Sequence, residues 1–415
     1  MTTTAYATRE LPRVEFIILV AGLMALNALA IDVMLPALPY MGEALGVSHE
    51  NERQYVVGAY MLGFGAAQLA FGPLTDRFGR RAPLLVGLVI YIACAFAATF
   101  APTFGALLAL RFVQGLGAAG TRVIATAVVR DRYSGRDMAE IMSLTFMVFM
   151  AIPIIAPGVG QVLLLTGPWQ TIFLFMAGLA TIISLWAYFR LPETLHPEYR
   201  RPLSVRAVLE GFRIVCTNRT AFFYGLAGTF LFGAMFGFIT ASQQIFVEIY
   251  GLGPYFPVAF AGMAGTVAIA QFINSRVVRR IGMRRLSHFA IIVYLSMSLV
   301  WLVLALIAPM PLAVFFGLLL IIQFAFGWAA SNMNSLSMEP LGAVAGTAAS
   351  VFGFMQTVGG AVLGTLIGQQ FNGTLVPNAV GYVLMGSLVL SCVLIAEKGR
   401  LFGVGAQYAG APPGR

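Results

Sequence analysis

The stretch GPLTDRFGRRAPLL, Gly72 to Leu85, sets three arginines, one aspartate and two glycines in the gap between two apolar runs, residues 53–74 and 83–100. Each run is close to the roughly 20 residues that a helix needs to cross a hydrocarbon core of about 30 Å. A basic loop this short between runs this apolar reads as a hairpin whose turn lies at a membrane surface. The arrangement returns later, where NSRVVRRIGMRRL, Asn274 to Leu286, joins the runs 256–278 and 286–308. Superposing Gly79 on Gly282 also matches Arg77 with Arg280 and Arg81 with Arg284. The chain therefore reads as two copies of one unit, and parallel repeats about an axis along the membrane normal are one way carriers are built.

Outward from these loops, twelve runs can be marked: 16–37, 53–74, 83–100, 105–129, 138–165, 169–190, 221–249, 256–278, 286–308, 312–336, 344–368 and 377–397. Hydrophobic residues make up 59% of the chain and charged residues 10%, against roughly a quarter charged in soluble domains. A water-soluble protein is excluded. Unsatisfied backbone groups are costly in lipid, so every span is expected to be a helix. The fold class is an all-α membrane protein of twelve transmembrane helices in two six-helix pseudo-repeats, with bundles at 1–190 and 221–415. Between them, residues 191–220 carry Pro192, Pro197, Pro202 and a cluster of arginines, and read as a cytoplasmic linker.

The net charge of +9 does not point to nucleic acid, because the basic residues sit in short loops. With a cytoplasmic amino terminus, all but three of the 25 Lys and Arg fall in inward loops or termini, as the positive-inside rule requires. Both termini are expected in the cytoplasm. The exceptions are Arg53 in an outward loop, which needs no special role, and Arg111 and Arg122 within the fourth run. The first run holds Asp32 and lacks a small-residue cleavage pattern, so it reads as a span that stays in the mature chain. Cys94, Cys216 and Cys392 have no metal-ligand or disulfide pattern.

The loop Gly72 to Arg81 resembles the long cytoplasmic signature of the major facilitator superfamily. Physically, Gly72 permits close packing and Gly79 a turn, and Asp76 can accept from a neighbouring helix amino terminus, where the dipole favours an anion. Arg77, Arg80 and Arg81 can reach carboxylates or lipid phosphates, and the loop is expected to tune conformational switching. In the fourth run, LALRFVQGLGAAG resembles the superfamily's second signature through Arg111, Gln114 and Gly115. In the fifth, IAPGVGQ is similar to the antiporter signature, keeping Pro157 and Gly160 but with Ala156 and Gln161 where glycines recur. Together with IDVMLPALP at 31–39, VVRDRY at 128–133, LPET at 191–194 and ITASQQIFVEIYGLGP at 239–254, the chain resembles the Bcr/CflA group of bacterial drug efflux proteins, in the drug:proton antiporter branch. The resemblance implies proton-driven export of small amphipathic toxic compounds across a bacterial inner membrane. It also implies a proton gradient as energy source, with no cofactor.

A carboxylate inside a span costs a few kcal/mol on insertion scales and marks function. Asp32 is the leading candidate. At about 1.5 Å per residue it lies roughly 24 Å into its span, while Arg111 lies roughly 9 Å below the outer surface, so the two share a depth at which a mutual or a water-bridged interaction is open to them. Arg111 and Arg122 lie eleven residues, about three turns, apart and share a face expected to line the central cavity, although Arg122 is also close enough to the cytoplasmic end to snorkel to the interface. The cavity is assigned to Asp32, Arg111, Gln114, Arg122, Gln243 and Gln356, with Asp32 and Arg111 in proton coupling. Gln244, Gln323 and Asn332 are further polar groups in apolar runs, and Glu248 reads as an exposed outer charge or a second proton site. Gly346, Gly353, Gly360, Gly364 and Gly368, at spacings of seven and four, are expected to serve helix packing.

Asp32 is expected to take a proton from outside and release it to the cytoplasm, exchanging it for substrate. The expected partners are a small molecule, protons and membrane lipid, with no nucleic acid, and the chain is expected to act as a monomer. The alternative is an uptake or facilitated-diffusion carrier for a small polar nutrient. A membrane-embedded enzyme is disfavoured because His49, His196 and His288 are scattered, and no Walker-type loop supports ATP-driven transport.

Overall fold

The computed structural model describes residues 11–133, 135–196, 198 and 205–403, and the regular structure among them is helical. Among the described residues, twelve helices are long and apolar enough to span a membrane. They are α1 (Arg13–Ala44), α2 (Glu50–Phe78), α3 (Arg81–Ala98), α4 (Phe104–Arg132), α5 (Gly135–Thr166), α6 (Gln170–Arg190), α7 (Arg219–Ile249), α8 (Gly253–Ile281), α9 (Met283–Ile307), α10 (Leu312–Leu341), α11 (Thr347–Gly368) and α12 (Val376–Ala396). Most run a few residues past the apolar segments, because backbone hydrogen bonding continues into the interface where charged residues such as Arg132 and Arg190 meet water. Between α6 and α7 lies a short helix, Val205–Thr217.

Capping explains several ends. The Thr103 hydroxyl accepts from Ala106 N at 3.2 Å to open α4, and Asn218 Oδ1 accepts from Ala221 N at 2.9 Å to open α7. Gly79 and Gly282 close α2 and α8 with φ of 89° and 90°, a conformation that side chains resist. The two loops matched in sequence thus turn through the same backbone state. They lie at one end of the bundle, here called the basic end.

Three spans are interrupted. In α1 the α-helix stops at Asp32 and a 3-10 turn follows at Leu35–Ala37. Pro36 is the cause: it has no N–H to give the carbonyl of Asp32, four residues back, and its ring crowds that carbonyl. α7 ends in a π-helical segment, Gln244–Ile249, and α11 contains another, Met355–Gly359. Such widened turns re-aim side chains and are frequent at functional sites.

The tightest helix pair is α2 with α4. A Cβ on Gly63 would drive into the carbonyl oxygen of Phe112 and lie 2.9 Å from its carbon; one on Gly115 would drive into the carbonyl of Tyr60 and lie 2.8 Å from Phe64 N. On α11, Gly353 faces Gln68, Gly360 and Gly364 face Phe236, and Gly368 faces Gln54 and Thr240, so these glycines lie against α2 and α7. Gly346 lies outside the residues whose surroundings are described.

Candidate functional site

Asp32 is 5% exposed, and no hydrogen bond or ion pair engages its carboxylate among the described residues. Its setting follows from the break in α1. The helix ends there, and α5 comes close because Gly160 has no side chain: a Cβ would strike the Val33 carbonyl and lie 3.0 Å from Pro36 Cγ. Pro157 stands one turn earlier on the same helix. The two residues of the antiporter-like stretch thus belong to the helix that packs on the backbone beside Asp32.

Arg111 is wholly buried, and its donors are spent elsewhere. Nη2 donates to the Ala30 carbonyl at 2.9 Å, Nε to the Val56 carbonyl at 3.2 Å and Nη1 to Gln114 Oε1 at 2.6 Å. The guanidinium lies 4.4 Å from the Tyr60 ring centroid and 5.9 Å from that of Phe173. Ala30 is in the last turn of the broken helix, where carbonyls lack helical partners and the dipole favours a cation. Arg111 therefore caps α1. A direct pairing of Arg111 with Asp32 is not what the geometry shows: counting rise along a helix gives depth but not azimuth, and the guanidinium meets the backbone two residues before the acid.

A second buried network stands one turn earlier. Asn27 Nδ2 donates to Thr121 Oγ1 at 2.7 Å, and the Tyr60 hydroxyl donates to Asn27 Oδ1 at 3.1 Å, tying α1, α2 and α4 together. Sequence reasoning missed Asn27, although a lone amide in an apolar run was a signal for it.

The remaining cavity candidates separate. Gln114 is wholly buried against Arg111, so neither lines open space as expected; close packing of α2 on α4 seals them. Gln243 is 5% exposed, with Oε1 lacking a partner among the described residues. Gln356 lies in the π turn of α11, half-buried, against Gly228. Gln323 and Asn332 are buried on α10, and Asn332 Nδ2 donates to Asn274 Oδ1 of α8 at 2.8 Å. Arg122, by contrast, is exposed.

At the end opposite the basic one, the first and last six spans are latched. Arg53 of α2 pairs with Glu248 of α7, 195 residues away in sequence. Beside them Gln54 Nε2 donates to Gln244 Oε1 at 2.5 Å and to the Gly368 carbonyl at 3.2 Å. Gln244 Nε2 donates to Asn51 Oδ1 at 2.9 Å, Asn51 Nδ2 to the Gln369 and Phe371 carbonyls at 3.0 and 2.8 Å, and Gln369 Nε2 to the Asn51 carbonyl at 2.7 Å. Nearer mid-depth, Gln68 Nε2 donates to Thr357 Oγ1 at 3.1 Å. Arg53, read as needing no role, is therefore the partner of Glu248, which is exposed as one of its two readings has it, and sequence separation concealed the contact.

The side chain of Arg53 is 9% exposed and that of Glu248 33%. Glu248→Ala leaves buried Arg53 with only Glu50, 4.0 Å away, and should destabilise by about 1–3 kcal/mol, whereas Arg53→Ala leaves a carboxylate that water can reach, and should cost less. Thermal unfolding of the purified single and double variants checks this order. The double variant is expected to recover part of the Glu248→Ala loss.

At the basic end, Arg80 Nε donates to Asp131 at 2.9 Å and Nη1 to Asp76 at 2.7 Å and Thr75 Oγ1 at 3.0 Å. Burial disfavours its charge, but the hydrogen bonds to Asp131 and Asp76 outweigh that and raise its pKa. Glu193, following α6, accepts from Arg80 N at 2.8 Å and Arg81 N at 3.1 Å. Arg81 Nη2 donates to the Tyr188 carbonyl at 2.5 Å, while Arg77 is exposed and lies over the Phe78 ring. Gly72 lies near α11, where a Cβ would sit 3.6 Å from Ser350 Oγ.

The second repeat builds a counterpart. Arg284 Nε donates to Glu397 at 2.9 Å and Nη2 to Glu339 at 2.8 Å, and the Tyr224 hydroxyl donates to Glu397 at 2.8 Å. One arginine thus ties the ends of α10 and α12, whereas Arg80 and Arg81 share the equivalent task at the ends of α4 and α6.

The sequence pattern described as Major Facilitator Superfamily matches residues 20–364. A bicyclomycin resistance protein homolog from Haemophilus influenzae is 29% identical over 383 residues, covering 91% of this chain and 94% of that protein. Multidrug resistance protein D of Escherichia coli is 28% identical over 402 residues, covering 92% and 95%. Among solved structures, the xylose transporter XylE from E. coli, in a partially occluded inward-open conformation, superposes with a TM-score of 0.69 at 12% identity, covering 93% of this chain and 97% of that one.

Proposed function

The chain belongs to the Major Facilitator Superfamily and is a multi-pass membrane transporter rather than an enzyme, and on that footing we propose that it exports small amphipathic drugs or toxic metabolites by proton antiport. The observation that carries the coupling is Asp32: a buried carboxylate with no described ionic partner, at a helix break held between Pro36 and Gly160. Arg111 closes the helix end beside it and leaves the acid free to exchange a proton. Relatives over nine-tenths of the chain are named for resistance to bicyclomycin and to multiple drugs, which favours export over nutrient uptake.

The positive-inside rule makes the basic end cytoplasmic, in a bacterial inner membrane with both termini inside. The Arg53 and Glu248 latch then closes the outer side. In the alternating-access cycle, substrate enters from the cytoplasm, the latch opens as the six-helix halves rock, and a proton taken by Asp32 from outside accompanies the return. The loops at Arg80, Arg81 and Arg284 break and remake their ion pairs with each swing. The unit works as a monomer, driven by the proton gradient.

Inverted membrane vesicles test this directly. After respiration acidifies their lumen, adding an exported drug is expected to dissipate part of the pH gradient in vesicles carrying the protein and not in controls. A gradient that no tested drug perturbs, with no uphill drug movement, would exclude antiport.

A further inference from the structure

The exposed stripe on α4 widens towards the basic end. In the half nearest the latch it comprises Gly105, Ala109, Phe112 and Val113; past Gly117 it keeps that side with Arg130 and Asp131, about five turns from Phe112 and Val113, and adds Arg122 and Thr126 on the flank that Arg111 occupies. Arg122 is about three turns from Arg111 and so shares its face, yet Arg111 is wholly buried and Arg122 is exposed. A lipid-facing stripe keeps to one side of a straight helix. A face sealed in one half and open in the other is the wall of a crevice that enters from the basic end.

Arg122 stands ten residues before the end of α4 at Arg132, about 15 Å along the helix axis. Its guanidinium has no hydrogen-bond or ionic partner among the described residues. Of the carboxylates that neighbouring segments bring to this end, Glu15 pairs with Arg190, Glu140 with Arg13, and Asp76 and Asp131 with Arg80, while Asp137 is exposed in the first turn of α5 and is not paired with Arg122. Asp32 is shut into the opposite half. The accessible interior therefore presents a cation with five N–H donors and no described counter-anion, arranged as a carboxylate, sulfonate or phosphate would require.

We propose that Arg122 is the recognition residue for an anionic head group, so that organic anions with an apolar body are a substrate class of this carrier. This rests on the export reading above and deepens it. The anion docks on Arg122 from the basic end, while its apolar portion lies along the crevice wall.

The test uses purified full-length protein in neutral detergent with two dyes of similar ring size, anionic fluorescein and cationic rhodamine 6G, and follows fluorescence anisotropy. Arg122→Gln is expected to weaken fluorescein binding at least about tenfold, the loss of a charged hydrogen-bonded pair, and to leave rhodamine 6G unchanged or tighter. Arg122→Lys is expected to keep most of the affinity. The idea is overturned if wild type does not bind fluorescein, if Arg122→Gln binds it as well as wild type, or if both dyes weaken equally. Phosphatidylglycerol forms a second arm. If it displaces fluorescein from wild type while Arg122→Gln loses only the lipid's effect, Arg122 holds a lipid head group and the substrate assignment falls. Inverted vesicles separate the two readings: export of rhodamine 6G without fluorescein leaves export standing and removes the anion class, whereas uphill movement of neither dye defeats the export reading.

Discussion

Asp32→Asn is expected to reduce uphill, pH-gradient-driven export to the level of vesicles without the protein, while downhill movement of the same drug persists. The two side chains have nearly the same shape, and no described partner depends on the carboxylate. Arg111 continues to cap Ala30, Val56 and Gln114, and Gly160 continues to seat on Val33. What is lost is the ability to bind and release a proton. A buried carboxylate without a cation is costly, so the neutral amide should melt no lower than the parent. The measurement pairs drug flux with gradient dissipation in inverted vesicles, with thermal unfolding as the control. Asp32→Glu, which keeps the acid but lengthens it, should retain part of the coupling. Full gradient-driven efflux in Asp32→Asn would remove Asp32 from the mechanism.

Gly115→Val should prevent accumulation of folded protein, and Gly115→Ala should destabilise by about 1–3 kcal/mol or more. Gly115 faces the Tyr60 carbonyl across the α2 and α4 contact, and Gly63 answers it by facing the Phe112 carbonyl. The obstacle in each case is main chain, which cannot swing aside as a side chain can. The helices would have to separate, and with them Tyr60, whose ring lies against Arg111 and whose hydroxyl holds Asn27. Gly105, on the same helix with nothing within 4 Å, is the control, and Gly105→Ala should be tolerated. Size-exclusion profiles and melting curves distinguish the outcomes. A well-folded Gly115→Val protein would contradict the close approach.

Much of this was legible in the residues. Runs of about 20 apolar residues can satisfy their backbone in lipid only as helices, so the number of spans follows from composition and length. The repeated loops are equally local, because Gly79 and Gly282 reach a positive φ that other residues avoid, and both do. Even Arg111 announced itself as unusual, since a cation within a span demands a partner.

Partner identity was not legible. A helical count gave Arg111 and Asp32 one depth, but which groups face each other depends on how each helix is rotated, and that is set by where Gly63, Gly115 and Gly160 let neighbours approach. Likewise, Arg53 and Glu248 lie far apart along the chain and meet only because α2 and α7 close against each other, the π turn at Gln244–Ile249 re-aiming the end of α7. Sequence alone determined the span count, the repeat and a candidate acid, because hydrophobicity, charge and glycine's backbone freedom act over a few residues. Only the tertiary structure decided that Arg111 is a helix cap, that Arg53 is a latch and that Arg122 faces open space, because burial and pairing are properties of helices in contact.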